Sequence, residues 1–114
     1  MQIDRVEIQV IGPETEHHTW SDDLPGQYQS NTLIRIYTDA GLEGIAGVWN
    51  ATSFGYDRYT AESLRHLVPI LIGREPCDRE SILHDLRPRV FPQPPGALAV
   101  IDIALWDIMG KIQD

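Results

Sequence analysis

The sequence predicts an α+β fold in which a three-stranded antiparallel meander is followed by a three-helix bundle. Two observations support this prediction: the first half contains runs of β-branched residues that alternate with a period of two, and the second half has apolar residues at helical spacing. With 114 residues, of which 42% are hydrophobic, the chain is long enough to bury one modest core. We therefore expect residues 1–114 to form one domain.

Composition and charge exclude several classes of function. A formal charge of -8 disfavours binding to phosphate backbones and anionic lipids, so we expect neither nucleic acid nor a membrane as a partner. The longest apolar segment, residues 97–109, is shorter than the ~20 residues that a bilayer requires. Cys77 has no second cysteine to pair with, and the first residues lack the pattern of a secretion signal, so we expect a cytoplasmic location.

The first predicted element is a strand over residues 2–11. Val6, Ile8 and Val10 alternate with polar residues, which places one strand face on a core. Residues 12–31 are polar and lose this period, so they are predicted to form a long loop. Compact domains rarely contain so long a loop unless it is a lid or a binding loop; an excursion without function is the alternative.

A β-hairpin follows the loop. Residues 32–37 and 42–49 are the predicted strands, joined at the sequence Asp39-Ala40-Gly41. A three-residue connection that ends in glycine is typical of a type I turn followed by a left-handed residue, a conformation that glycine adopts without a steric clash.

Two helices are predicted next. The first begins near Asp57, and Pro69 should kink or end it in its last turn. The second begins near Asp78 and ends at Arg87, because Pro88 disfavours a helical residue before it. Their apolar stripes comprise Ala61, Leu64, Val68 and Leu71 in the first helix and Ile82, Leu83 and Leu86 in the second.

The third predicted helix, residues 97–112, is apolar on nearly every side, since 12 of its 16 residues are apolar. A small sheet and two helices can cover only part of such a helix, so we expect something outside this chain to cover the rest. The chain ends at Asp114 without a glycine or proline stop, and we therefore expect it to be a fragment of a longer protein.

Few other side chains indicate chemistry. His17 and His18 are adjacent, so on an extended chain they point in opposite directions, and no third metal ligand has suitable spacing. Asp102 and Asp107 project roughly 140° apart on a helix and cannot share one proton or ion, which favours a structural role. Cys77 lies at a helix start but lacks an activating neighbour, and is expected to be unreactive. His66 and His84 are expected to be structural or surface residues.

Three stretches give the chain a family resemblance. They are TLIRIYTDAGLEGIAG at residues 32–47, LVPILIGREPCD at 67–78 and GALAVIDIALWDIMGK at 96–111. Together they resemble the N-terminal capping domain of the mandelate racemase and muconate lactonizing branch of the enolase superfamily. The third stretch is the most specific, because it combines Asp102 and Asp107 in an Ala- and Ile-rich helix that ends in Gly110-Lys111.

The resemblance implies an enolase N-terminal domain-like cap whose catalytic TIM barrel is absent from this chain. In the family, barrel carboxylates hold Mg²⁺, and a barrel Lys or His removes the proton α to a substrate carboxylate. The chain is therefore expected to contain no catalytic or metal-binding residue. Its parent is expected to be a Mg²⁺-dependent lyase, namely an acid-sugar dehydratase, or an isomerase of the racemase, epimerase or cycloisomerase type. Asp102 and Asp107 would then meet an arginine or a helix end where the cap contacts the barrel.

The resemblance also assigns specificity to two loops of the cap, here about residues 12–31 and 49–56. These loops fold over the barrel mouth and contact a small-molecule carboxylate, and their polar and aromatic character favours a sugar acid. The candidate substrate-binding residues are His17, His18, Trp20, Tyr28, Trp49, Asn50, Phe54 and Tyr56.

A second function stays open at this point. The chain could be a stand-alone, non-catalytic module that uses the apolar helix 97–112 to dimerise or to bind another protein. In either case the apolar helix leads us to expect self-association of the isolated chain, and we expect the parent to be a homo-oligomer.

Overall fold

The computed structural model describes residues 1–11, 17–18, 27–28, 30–50, 56–90 and 96–114. Within these residues, five strands precede three helices, which confirms the predicted α+β class. The elements are β1 (Ile3–Ile11), β2 (His17–His18), β3 (Gln27–Tyr28), β4 (Ser30–Thr38), β5 (Glu43–Asn50), α1 (Tyr56–Leu71), α2 (Arg79–Val90) and α3 (Gly96–Gln113).

The main sheet has the strand order β1-β4-β5, with both neighbouring pairs antiparallel, as the meander prediction requires. The prediction of a strand-free loop over residues 12–31 is wrong in part. The short strands β2 and β3 pair with each other, and β4 begins at Ser30, inside the predicted loop. Polar composition conceals this pairing because a backbone ladder does not require apolar alternation.

The β4–β5 connection has the predicted geometry. Gly41 has a φ of +80°, in the left-handed region. Its N–H donates to the Thr38 carbonyl at 3.2 Å, and the Thr38 N–H donates to the Leu42 carbonyl at 3.0 Å. The turn is therefore a local property of the residues that form it.

One buried cluster joins one face of the main sheet to all three helices. Val6 and Ile8 pack against this cluster, as the alternation predicts, but Val10 is 48% exposed. Val10 lies near the far end of an edge strand, where less of the chain covers it. The cluster comprises Ile3, Ile34, Ile36 and Ala46 from the sheet side, Leu64, Leu67 and Leu71 from α1, Ile82, Leu83 and Leu86 from α2, and Ala97, Val100, Ile101, Ala104, Leu105 and Ile108 from α3.

The two helical prolines have different effects. Pro69 lies in the last turn of α1, as predicted. Pro88 is predicted to end the second helix at Arg87, but α2 continues to Val90. A proline removes one main-chain hydrogen bond, whereas Val90 at the end of the extra turn is buried to 7% exposure. Burial of this side chain favours the longer helix and offsets the lost bond.

Helix α3 lies directly on β5. A Cβ atom added at Gly44 would overlap the Ala104 carbonyl oxygen and lie 2.6 Å from Ile108 Cγ1. The absence of a side chain at Gly44 thus permits the close approach of helix and strand. The other side of α3 is partly exposed, with Ile103 54% and Trp106 52% exposed, so the described residues cover only part of this apolar helix, as predicted.

Candidate functional site

Both predicted specificity loops are attached to the same end of the main sheet. Ile11, Asn31 and Trp49 lie side by side across β1, β4 and β5, and Ser30 pairs with Asn50 one position further along. Because β1 ends at Ile11 and β5 ends at Asn50, the segments that follow both strands leave from this edge. We call this edge the loop end of the sheet.

The start of α3 also lies near the loop end. A Cβ atom added at Gly96 would lie 3.3 Å from Val48 Cγ2, so α3 begins beside the last residues of β5. Residues 91–95 immediately precede Gly96 along the chain. The loop end is therefore flanked by the attachment points of residues 12–29, 51–55 and 91–95.

Six of the eight candidate substrate-binding residues lie in elements that the structure describes. Five of the eight lie in strands: His17, His18, Tyr28, Trp49 and Asn50. The structure groups these five residues in two sets. His17 and His18 lie in β2, where His17 pairs with Tyr28 of β3, and Trp49 and Asn50 lie at the loop end. Tyr56 is the first residue of α1, so the predicted loop 49–56 is shorter than expected at both of its ends. Trp20 and Phe54 lie outside the described residues.

The two aspartates of α3 are not brought together. Asp102 Oδ1 accepts a hydrogen bond from Arg79 Nη1 at 2.6 Å. Asp107 Oδ2 accepts hydrogen bonds from the Ile45 N–H at 3.0 Å and from Lys111 Nζ at 2.9 Å. The bond from Lys111, and next the bond from the Ile45 backbone, lower the pKa of Asp107. The predicted structural role is supported, but these partners lie within this chain, whereas the resemblance led us to expect partners at a contact with a barrel.

Asp107 and Lys111 also close part of the outer edge of β5. Lys111 Nζ donates to the Glu43 carbonyl at 2.7 Å, while Asp107 binds the N–H of Ile45. Unpaired N–H and C=O groups on a sheet edge attract strands of other chains. The ion pair occupies one group of each kind and fastens α3 to the strand.

A groove of about 260 Å³ lies between the start of α2 and the exposed side of α3. Arg79 Cζ lies 4.6 Å from the centroid of the Trp106 ring, in cation–π geometry. The sequence does not reveal this pair, because the two residues are far apart in the chain and only the packing of α2 on α3 brings them together. The groove is lined by Cys77, Asp78, Arg79, Glu80, Trp106 and Met109.

Cys77, His66 and His84 are the remaining residues whose side chains could take part in chemistry. Cys77 is exposed, and partial desolvation, followed by its hydrogen bond with Glu75, raises the pKa of its thiol. This agrees with the prediction of an unreactive thiol, because the thiolate is the nucleophile. His66 and His84 are exposed on α1 and α2, as expected.

Neither a metal-ligand cluster nor a membrane-spanning helix is found in the described part of the chain. There, no three His, Cys, Asp or Glu side chains are grouped so that they could hold a metal ion. In the same residues, none of the helices combines the length and apolar character needed to cross a bilayer.

Comparison with known proteins identifies the family of this chain. Residues 17–114 match the family model described as mandelate racemase / muconate lactonizing enzyme, N-terminal domain. The chain belongs to this family. The match spans all three helices, the β4–β5 hairpin and the β2–β3 pair.

Curated relatives of this family include dehydratases and a racemase. The chain is 37% identical over 84 residues to the D-galactonate dehydratase family member RspA of Cellvibrio japonicus, which covers 69% of this chain and 20% of RspA. Identity to a D-mannonate dehydratase of Sphingomonas sp. is also 37% over 84 residues, with 69% and 20% coverage. An N-succinyl-L-Arg/Lys racemase of Bacillus cereus is 38% identical over 84 residues, 69% of this chain and 22% of the racemase. The chain thus spans about a fifth of the length of these relatives.

Solved structures show the same fold. A crystal structure from Pseudovibrio sp., provisionally named a mandelate racemase/muconate lactonizing enzyme, has a TM-score of 0.86 and 34% identity, covering 98% of this chain and 30% of that one. The L-talarate dehydratase of Polaromonas sp., complexed with Mg and L-glucarate, has a TM-score of 0.81 over 98% of this chain and 32% of that one. Its identity is 18%, so this second likeness shows the fold alone.

Proposed function

We propose that this domain is the cap of a two-domain, Mg²⁺-dependent enzyme that removes the proton α to the carboxylate of a sugar acid and acts as a dehydratase. The observation that carries the proposal is the loop end, because both candidate specificity loops are attached there. A surface from which two polar and aromatic loops extend is suited to contact a bound small molecule from one side.

The relatives support the choice of substrate class. RspA belongs by name to a D-galactonate dehydratase family, and the Sphingomonas protein is named a D-mannonate dehydratase. Galactonate and mannonate are polyhydroxylated carboxylates, and the loops of this chain supply groups that bind hydroxyls, such as His17, Tyr28 and Asn50. Because one relative is named a racemase, isomerisation is the alternative reaction that we propose for the parent.

In this proposal the chain's own residues bind, orient and shield, while the barrel carries the reacting groups. If the loops at about residues 12–31 and 49–56 cover a bound acid as the resemblance implies, they exclude water and lower the local dielectric, which strengthens the electrostatic interactions in the site. Mg²⁺, when bound, would stabilise the negative charge that develops on the substrate carboxylate. In the family that this chain resembles, carboxylates of the barrel hold this ion, so the proposal places the ion in the barrel of the parent enzyme.

The experiment joins residues 1–114 to the remainder of the Sphingomonas D-mannonate dehydratase, in place of that enzyme's own N-terminal domain. We expect the fusion to dehydrate acid sugars, to lose this activity with a chelator and to regain it with Mg²⁺. His17→Ala and Asn50→Ala should raise KM about tenfold by removing hydrogen bonds to substrate, whereas His66→Ala on α1 should not. A folded fusion that is inactive on every acid sugar, or equal KM values in all three variants, would contradict the proposal.

A protein-binding module is the second candidate, and the half-exposed Ile103 and Trp106 favour it. The two candidate functions differ in their effect on catalysis. A cap would change the turnover of the enzyme to which it is joined, whereas a binding module would bind its partner without changing turnover. Homo-oligomerisation of the parent and its cytoplasmic location also stay predictions. Sedimentation of the intact parent and fractionation of the cells that express it would test them.

A further inference from the structure

The two edges of the main sheet differ in how much of their backbone is paired. On the β5 edge, the ion pair from α3 occupies one N–H and one C=O group. On the β1 edge, the Ile3 N–H donates to the Arg74 carbonyl, and the Ile3 carbonyl accepts from the Gly73 N–H, both at 2.8 Å. The register shifts between Ile3 and Arg5, and beyond this shift no backbone hydrogen bond from another segment of the described chain reaches the β1 edge. We call residues 6–10 the open edge.

Three residues direct their backbone groups outward along the open edge. Val6 and Ile8 pack against the same core as Ile3. Val10 follows them in the alternation. Residues of one strand whose side chains share a face also point their N–H and C=O groups to the same side. Because Ile3 points these groups away from β4, the other three residues do as well. Val10 is 48% exposed and Ile11, the next residue, 45%. The open edge therefore offers backbone donors and acceptors beside exposed apolar side chains.

The open edge lacks the features that keep sheet edges unpaired. Unpaired N–H and C=O groups are a template to which a further strand adds. Proteins commonly protect such edges with a proline, a lysine or a charge that points inward. Residues 6–10 contain no proline and no lysine, and their one charged residue, Glu7, pairs with Arg35 on the face opposite the core. The open edge is therefore suited to accept another strand.

The sequence of the open edge indicates that the added strand is the same strand of a second copy. Read in either direction, VEIQV has valine at both ends, isoleucine in the centre and one polar residue on each side of it. A two-fold axis aligns each residue of an antiparallel pair with the residue at the mirrored position. Ile8 then faces its own counterpart, and Val6 faces Val10 of the second copy. On the opposite face of the sheet, Glu7 faces Gln9. The β-branched residues thus face each other and like charges do not.

We propose that β1 pairs with β1 of a second copy along the open edge, which joins two three-stranded sheets into one continuous antiparallel sheet. In this register all three outward-pointing residues pair with one another, and each pair exchanges two hydrogen bonds, about six in all. A slide by two residues in either direction would pair only two of the three. One of these slides would also place Glu7 opposite Glu7 of the second copy, where like charges repel. This inference does not depend on the proposed reaction.

Amide hydrogen exchange of the 114-residue chain tests the pairing directly. The N–H groups of Val6, Ile8 and Val10 should exchange about tenfold more slowly in a concentrated sample than in a dilute one, whereas Ile36 in the central strand should not change. Salt at about 0.2 M screens the formal charge of -8 on each copy. Equal exchange of the three groups at both concentrations would overturn the proposal. Slow exchange in a dilute fusion to the remainder of the Sphingomonas dehydratase would overturn it too, since the occupant would then belong to the same polypeptide.

Matched variants separate strand pairing from folding. Val10→Pro removes a donor of the open edge at an exposed residue, and should weaken association in sedimentation by about tenfold or more. Val10→Thr keeps the donor and should leave association close to that of the unsubstituted chain. Equal association of these two variants, both folded by circular dichroism, would overturn the proposal.

The charge at residue 9 tests the register, and gives an answer even if Val10→Pro does not fold. Gln9→Lys, opposite Glu7 of the second copy, should tighten association about fivefold, and Gln9→Glu should weaken it about fivefold. The same two substitutions at Gln113, an exposed residue at the end of α3, measure the effect of net charge alone. Equal effects at residues 9 and 113 would overturn the proposal.

Discussion

Substitution of Gly44 by alanine tests the packing of α3 on β5. The added Cβ would overlap the carbonyl oxygen of Ala104 and lie 2.6 Å from Ile108 Cγ1. The Ile108 side chain can adopt another rotamer, but the carbonyl is part of the helix backbone and cannot turn away. The helix must therefore move off the strand, and the hydrogen bonds of Asp107 and Lys111 to β5 would lengthen with it.

The expected cost follows from this geometry. Overpacking a well-packed core costs about 1–3 kcal/mol, and a clash with backbone belongs at the upper limit, so we expect Gly44→Ala to destabilise the domain by about 3 kcal/mol. The total stability of a small domain is about 5–15 kcal/mol, so the variant should lose a large share of it.

Urea denaturation followed by circular dichroism measures the effect, with Gly110→Ala as the matched control. Nothing lies within 4 Å of a Cβ added at Gly110, which is an exposed position of the same helix. Alanine is favoured over glycine inside a helix by about 0.5–1 kcal/mol, so this control should be more stable than the unsubstituted chain. A Gly44→Ala variant within about 0.5 kcal/mol of the unsubstituted chain, or equal losses in both variants, would refute the packing argument.

Three further predictions concern charge, reactivity and turnover. Asp107→Asn should cost about 1 kcal/mol at pH 7, because it weakens the bonds from Lys111 and Ile45 at a partly exposed site. Since the folded-state pKa of Asp107 is lowered, its contribution is present above the unfolded pKa of about 3.9 and is lost as pH falls through the folded value. Urea titrations should therefore show that the free energies of unfolding of the unsubstituted chain and of Asp107→Asn converge as the pH falls. A difference that is the same at every pH would contradict this prediction. The pKa of the Cys77 thiol is raised, so this thiol should react with a disulfide reagent at pH 8 more slowly in the folded chain than in urea. An equal or faster rate in the folded chain would contradict the raised pKa. The isolated chain should show no dehydratase or racemase activity with or without Mg²⁺, and turnover by a preparation of verified mass would disprove the absence of catalytic residues.

The parts of the fold that sequence could predict are those set by local chemistry. Gly41 closes the hairpin because a left-handed residue is needed at its position, and α3 is visible as a long apolar run. Pro88 shows where local rules fail, since a buried Val90 beyond it favours a helix that proline alone disfavours. The β2–β3 pair also escaped prediction, because it depends on backbone pairing between polar residues.

The candidate site was predictable only in outline. The loops were identified by length and composition, but their common attachment edge depends on the register of Ile11 with Asn31 and of Asn31 with Trp49. Likewise, an exposed side of α3 follows from its composition, whereas the stacking of Arg79 on Trp106 requires the packing of two helices. Strand register and helix–helix stacking are contacts between residues far apart in the sequence, so residue spacing within one element does not predict them.

Transfer of residues 12–31 and 49–56 alone into the Sphingomonas D-mannonate dehydratase tests most directly whether these loops set substrate choice. The measurement is the ranking of kcat/KM over a panel of acid sugars, for this loop variant, for the fusion that contains the whole cap and for the unmodified dehydratase. If the loops act as proposed, the loop variant will rank substrates as the fusion does and unlike the unmodified dehydratase. A loop variant that keeps the ranking of the unmodified enzyme, while the fusion changes it, would place specificity elsewhere in the cap and contradict the proposed role of the loop end.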